Sequence, residues 1–152
     1  MQRGKFLVCA LAVAAAVNGL ATSATIAWSA DTPVIVQPDN VKWEPVKGMT
    51  GLESATLWGD PDKAGGQYAI RYKLPDGFKF PPHTHPQSEQ VTVLSGTFMV
   101  GVGDKVDAAK MLTLPAGSYV EVPANLPHYA QAKGETILEV HGIGPDTINM
   151  LK

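Results

Sequence analysis

Three histidines and one glutamate have the types and the spacing of a metal site. His83 and His85 are separated by one residue, so their side chains point the same way if this segment is extended. Glu89 follows across a short bend and begins a strand on which Val91 and Val93 share its face. A carboxylate at the head of an inward apolar row is costly to bury unless positive charge meets it. Two imidazoles and a bound metal ion would supply that charge.

A further histidine, His128, is the predicted fourth ligand. It follows a turn that contains Pro123, Asn125 and Pro127 and begins another strand. On that strand, the small residues Ala130 and Ala132 share the face of His128, which leaves room for water or a small ligand. The outward face is then formed by the larger residues Tyr129, Gln131 and Lys133.

These two stretches resemble the paired motifs of the cupin superfamily. The first family pattern, G-x5-H-x-H-x3-E-x6-G, is matched at every fixed position, by Gly77, His83, His85, Glu89 and Gly96. The second, G-x5-P-x-G-x2-H-x3-N, is matched by Gly117, Pro123 and His128. It departs at Asn125, where the family has Gly, and at Ala132, where the family often has Asn. Asn tolerates a positive φ better than most residues, and the family does not use the second position as a metal ligand, so both departures are mild.

The resemblance extends over roughly residues 65–142 and implies an all-β cupin barrel, a double-stranded β-helix or jelly roll. It implies one divalent transition metal ion on His83, His85, Glu89 and His128. Three imidazoles and a carboxylate suit Fe, Mn, Zn, Ni or Cu and do not select among them. Open positions on such a metal would permit Lewis-acid activation of an oxygen ligand, or dioxygen chemistry if the metal is redox-active.

Two functions remain open. The resemblance favours a metal-dependent small-molecule enzyme, of the dioxygenase or isomerase type. The sequence nominates no catalytic acid or base, because Tyr119 and Glu121, on a neighbouring strand, are not shown to face the site. That gap favours the alternative, a non-catalytic module that binds a small ligand or the metal itself.

Other aromatic and titratable residues are assigned to packing or to the surface. His141 is expected outside the barrel or at its rim, because Leu138 and Val140 have the pattern of the core face. Trp58, Tyr68 and Tyr72 are interpreted as barrel packing.

The elements that must position the site are short strands separated by Gly and Pro turns, with no helical periodicity. The predicted strands are residues 34–36, 55–58, 67–74, 90–94, 97–102, 111–114, 119–122, 129–132 and 136–141. Regular short strands of this kind predict a sandwich or barrel. The domain prediction is a signal peptide at 1–30, an N-terminal arm with the first strands at 31–64, and the barrel core with a C-terminal tail at 65–152.

The first thirty residues have the pattern of a secretory signal. Arg3 and Lys5 precede an apolar run over residues 6–17 that is too short to span a bilayer, and small residues suited to cleavage follow within residues 24–30. The protein is therefore expected to be exported, to the periplasm or the medium, and not to be held in the membrane after cleavage. Its one cysteine, Cys9, would leave with the signal.

The remaining chain has ten basic and 14 acidic residues and no basic stripe, which argues against nucleic acid as a partner. The expected partner is a small-molecule ligand or substrate. Cupins commonly pair through an outer sheet face, so the resemblance implies a homodimer, to which the arm with Trp43 would contribute.

Overall fold

The computed structural model describes residues 33–151, which form one curled antiparallel sheet. The predicted signal peptide at 1–30 and Lys152 lie outside the described residues. Two short 3-10 helices, Pro38–Asn40 and Ala108–Lys110, accompany the sheet. Its strands are β1 (Glu44–Pro45), β2 (Glu53–Gly59), β3 (Gln67–Leu74), β4 (Lys79–Thr84), β5 (Glu89–Val102), β6 (Leu112–Pro115), β7 (Tyr119–Val122), β8 (His128–Ile143) and β9 (Asn149–Met150). The all-β barrel expected from the sequence is confirmed.

Two long strands, β5 and β8, are the frame of the barrel. They pair with each other from Gln90 opposite His141 to Val102 opposite His128, and β8 also pairs with β3 and β4. The sequence predicted a pair of short strands in place of each, with a turn at Ser95–Gly96. This was wrong, because Gly96 bends the strand without ending it.

Gly96 has a φ of 76°, in the left-handed region that glycine adopts without strain. The pairing of β5 with β8 shifts register on both sides of Ser95, where the strand turns the corner. A Cβ atom at Gly96 would lie 2.3 Å from the backbone oxygen of Glu135. The close approach of the two strands at this corner therefore requires glycine.

The interior is filled by alternate residues of the long strands, as the pattern predicted. Val91 and Val93 are buried on β5, and Leu138 and Val140 are buried on β8. Leu74, at the end of β3, is completely buried in the same cluster. The apolar row that begins after Glu89 thus lies inside the barrel.

Tyr129 is buried although it lies on the outward face of β8. Its ring covers Gly101 of β5, where a Cβ would approach the ring to 2.3 Å. Its hydroxyl donates to the carbonyl of Asp107 and accepts from the N–H of the same residue, both at 3.0 Å. Tyr129 thus lies on the outer face as predicted, and it is buried there because the connection around Asp107 covers this part of the face.

The N-terminal arm contacts the barrel of its own chain. Residues 34–36 form no strand, contrary to prediction, because they have no partner strand among residues 33–151. The arm joins the sheet at β1, and a turn follows in which the Val46 N–H donates to the Leu52 carbonyl at 2.9 Å. Trp43 packs on β3, where the Nζ atom of Lys73 is 4.9 Å from the centre of the indole ring.

Within residues 33–151, no helix has the length and apolar character needed to cross a membrane.

Candidate metal centre

The end of β4, the start of β5 and the start of β8 position the four predicted ligands. His83 on β4 pairs directly with His128 at the start of β8, and Glu89 is the first residue of β5. His85 follows β4, and its carbonyl accepts the N–H of Asn125 at 2.8 Å. Asn125 has a φ of 61°, the left-handed conformation that the family glycine would adopt at this position.

Each imidazole is oriented by a hydrogen bond from its Nδ1 atom to a backbone carbonyl. The acceptors are Pro81 for His83 (2.7 Å), Thr147 for His85 (3.0 Å) and Leu126 for His128 (3.1 Å). Since a carbonyl oxygen only accepts, the proton of each neutral ring is on Nδ1. The Nε2 atom of each ring therefore presents a lone pair.

These lone pairs converge. One ring nitrogen from each of the three buried histidines lies within 4.8 Å of the other two. The Oε2 atom of Glu89 is 3.6 Å from Nε2 of His85 and 3.8 Å from Nε2 of His128. The structure thus brings the three predicted histidines within reach of one another and places the Glu89 carboxylate beside two of them.

The electrostatics of the cluster suit a cation. Burial lowers the pKa of His83 and of His85 to about 4 and also lowers the pKa of His128, so the three rings are neutral near pH 7. Burial, with a contribution from the charge of Asp146, raises the pKa of Glu89 to about 7. Neutral imidazoles and a carboxylate that is costly to ionise are groups that a metal ion would stabilise together.

One buried atom of the cluster has no partner within the described chain. Nε2 of His85 is inaccessible to solvent and makes no hydrogen bond. An unsatisfied buried acceptor costs roughly 1–3 kcal/mol, which a coordination bond would remove. The donor set, the fixed tautomers and this orphaned nitrogen all fit one divalent transition metal ion.

A cavity of about 190 Å³ extends from the cluster into the barrel. Its walls are mainly apolar and include Phe98, Val120 and Leu138 from the strands, together with Val46 and Met49 from the arm. This volume is below the range of roughly 300–1,000 Å³ that is usual for drug-sized ligands. The cavity therefore suits a small, largely apolar molecule.

Two polar residues of this cavity were missed by sequence reasoning. Tyr72 of β3 and Asp146, after β8, line the cavity, and the Tyr72 hydroxyl donates to Oδ2 of Asp146 at 2.9 Å. Tyr72 had been assigned to packing, and 74 residues separate the pair in the sequence. No spacing rule joins residues so far apart, although the acidic residue after Gly144-Pro145 was a visible signal.

The other aromatic and titratable residues singled out in the sequence lie outside the cavity. His141 is exposed and bonds to Glu139 at 3.1 Å, as the rim prediction expected. Tyr119 and Glu121 are exposed. Trp58 was interpreted as packing, but its side chain is 49% exposed, because it belongs to the outer face of β2.

Comparisons with known proteins agree with this fold. Residues 70–144 match the family model described as the cupin domain. No curated protein sequence matches the chain. The family match and the barrel together support membership of the cupin superfamily.

Solved structures provide the second comparison. KdgF from Halomonas sp. is 20% identical with a TM-score of 0.58, and the match covers 76% of this chain and 97% of that one. The polyketide cyclase RemF from Streptomyces resistomycificus is 20% identical with a TM-score of 0.63, covering 80% and 87%. A putative acetylacetone dioxygenase from Methylibium petroleiphilum PM1 is 23% identical with a TM-score of 0.62, covering 82% and 84%. At these identities, the similarity shows the fold.

Proposed function

We propose that this protein is a metal-dependent enzyme that acts on a small molecule, with His83, His85, Glu89 and His128 as the ligands of one divalent transition metal. The observation that carries the proposal is the convergence of one ring nitrogen from each of three histidines, whose tautomers are set by hydrogen bonds to backbone carbonyls. Carbonyl acceptors behind ligating histidines are a recurrent feature of metal sites.

An enzyme is favoured over a non-catalytic binding module by the contents of the cavity. The case for the binding module depended on the lack of an acid or base near the metal. Tyr72 and Asp146 line the same cavity as the four ligands and remove that objection. The metal, when bound, would supply Lewis-acid activation of a substrate oxygen, or dioxygen chemistry if it is redox-active.

The known enzymes of this fold are compatible with the proposal but do not select the reaction. One structural neighbour is named a polyketide cyclase and another a putative acetylacetone dioxygenase. Because one fold hosts many reactions, the reaction of this chain must be argued from its own site.

The decisive experiment is elemental mass spectrometry of protein purified from its native compartment without added metal or chelator. We expect close to one transition metal ion per chain, and a large loss of metal in His83→Ala and Glu89→Ala. The matched control is His141→Ala, which removes an exposed histidine outside the cluster and should leave the content unchanged. Metal-free parent protein that also fails to take up added metal would contradict the proposal.

We also propose export, because residues 1–30 have the pattern of a signal peptide. Sequencing the N terminus of the protein from the periplasm or the medium should show that the mature chain begins just after a cleavage site within residues 24–30. A homodimer remains a proposal as well, and the molar mass in solution tests it.

A further inference from the structure

Tyr72 and Asp146 differ from the rest of the cavity wall. Among the described residues that line the cavity, they are the polar ones outside the four-residue cluster. The Tyr72 hydroxyl donates to Asp146 at 2.9 Å. A carboxylate that accepts a tyrosine hydrogen bond thus faces the same space as the predicted metal ligands.

Asp146 is held in place by the segment that follows β8. Its N–H donates to the carbonyl of Pro61 at 2.7 Å, and Gly144 exchanges hydrogen bonds with the same loop at Gly65 and Gly66. The next residue, Thr147, provides the carbonyl that orients His85. One short segment therefore fixes both a predicted ligand and this carboxylate.

No ion pair explains the burial of Asp146. None of the salt bridges among residues 33–151 includes it. Asp146 is partly buried, and withdrawing a carboxylate from water without a cationic partner is costly, so such groups concentrate at functional sites. Burial raises the pKa of Asp146, while the hydrogen bond from Tyr72 lowers it.

The two members of the pair differ in their protonation. Burial and the neighbouring Asp146 raise the pKa of Tyr72, so its hydroxyl keeps its proton and remains a donor. The carboxylate is the group of the pair that can accept a proton near neutral pH.

We propose that Tyr72 and Asp146 are the proton-transfer pair of this site, and that the substrate is a small carbonyl compound with an otherwise largely apolar body and a C–H bond next to the carbonyl. This inference depends on the proposed function, because the carbonyl oxygen lies towards the predicted metal ligands. The apolar walls and the cavity of about 190 Å³ set the size and polarity of the substrate.

The reaction step is enolisation. Asp146 takes the proton from the carbon next to the carbonyl, the electron pair of that C–H bond becomes a C=C bond, and the carbonyl π pair moves to the oxygen. Return of the proton from Asp146 to a carbon completes an isomerisation or a hydrogen exchange. Nothing is oxidised or reduced, and Tyr72 keeps the carboxylate oriented through its donated hydrogen bond.

Acetohydroxamate is the probe for this inference. It carries adjacent oxygen functions like those of an enolised hydroxy carbonyl compound, and it loses one proton when it binds a metal. The metal-loaded full chain is titrated by calorimetry in two buffers of different ionisation enthalpy, which counts the protons released. At about pH 8, we expect the parent to release almost none, since Asp146 takes the proton.

The variants separate the two roles. In Asp146→Asn, about one proton per probe should reach the buffer, and binding should weaken tenfold or more because a hydrogen bond to a charged group is lost. Tyr72→Phe should also weaken binding but release no proton. The matched control is Tyr129→Phe, which removes a buried tyrosine hydroxyl on the outer face and should bind the probe like the parent.

Each outcome is decisive. Release of a full proton by the metal-loaded parent overturns the inference even if a variant fails to fold, and so does an absence of probe binding at full metal occupancy. Equal affinity in the parent and in both folded, metal-loaded variants overturns it too. In all these cases the measured metal content leaves the proposed function standing, whereas failure of the parent to bind metal would refute the proposed function first.

Discussion

Metal binding at the four-residue cluster should release about one proton per metal below pH 7, and this number follows from the structure. The three imidazoles have pKa values lowered by burial, to about 4 for His83 and His85, so they are already neutral in the metal-free protein. Glu89, whose pKa burial raises to about 7, is the ligand that must lose a proton. Metal and proton therefore compete at a single group.

The magnitude is set by that competition. Between about pH 7 and pH 5 the apparent dissociation constant should rise about tenfold for each pH unit lost, or about 1.4 kcal/mol per unit. Above about pH 8 the dependence should vanish, since Glu89 is then ionised without the metal. In Glu89→Gln binding should be weaker at neutral pH, and the slope over this range should disappear.

The assay is competition with a chelator of known pH dependence at constant ionic strength, with Co²⁺ as the metal so that its absorption reports the ligand set. His141→Gln is the control, because this exposed histidine should leave the parent slope intact. A slope of two or three protons would mean that the histidines are protonated in the free site and that the carbonyl acceptors do not hold them neutral. A flat parent profile would remove Glu89 from the ligand set.

Two other predictions concern stability. In the folded protein the pKa values of His83 and His85 lie below 6.5, the ordinary value that applies to the unfolded chain. Their contribution to the free energy of unfolding is therefore present above about pH 6.5 and is lost as the pH falls towards 4, at about 3 kcal/mol for each ring. Glu89, with its raised pKa, contributes in the opposite direction over a similar range. In urea unfolding of metal-free protein, the loss of free energy of unfolding should therefore be about 6 kcal/mol larger in the parent than in a His83→Asn, His85→Asn double variant, which keeps Glu89 and His128. Separately, Gly96→Ala should cost more than 3 kcal/mol in thermal unfolding, because its Cβ would meet backbone at 2.3 Å. Gly134 also has a φ of 76°, but a Cβ at this position would meet open space. If Gly134→Ala lowered the free energy of unfolding as much as Gly96→Ala, the steric argument would be refuted.

The sequence predicted the ligands because each belongs to a local pattern. His83, His85 and Glu89 occur within seven residues, and alternation in an extended segment places the two histidines on one side, with Glu89 following across a short bend. Local patterns failed where a distant segment decides the environment. Asp146 meets Tyr72 through the path of the chain after β8, and Tyr129 is buried by the connection around Asp107.

The predicted strand boundaries were wrong for a different reason. A glycine with positive φ produces a turn between strands or a bend within one, and the choice depends on the partner strand. At Gly96 the partner β8 continues past the corner, so β5 continues with it. Residues 34–36 show the converse, since β-branched residues form no strand without a partner.

The hydrogen bonds behind the imidazoles show how local and distant sequence combine in this site. His83 and His128 each follow a proline, and each bonds to the carbonyl two residues earlier, in Pro81-Pro82-His83 and Leu126-Pro127-His128. Proline fixes its own φ and keeps the preceding residue extended, so these two short segments restrict the orientation of their own rings.

His85 has no such local acceptor. Its proton goes to Thr147, 62 residues away, in the segment that also carries Asp146 and continues into β9, which pairs with β4 at His83. A metal that requires His85 in this orientation would therefore also favour the observed position of that segment. The same binding event would fix the Asp146 carboxylate at the cavity wall, so the ligand least determined by local sequence links metal occupancy to the proposed proton-transfer pair.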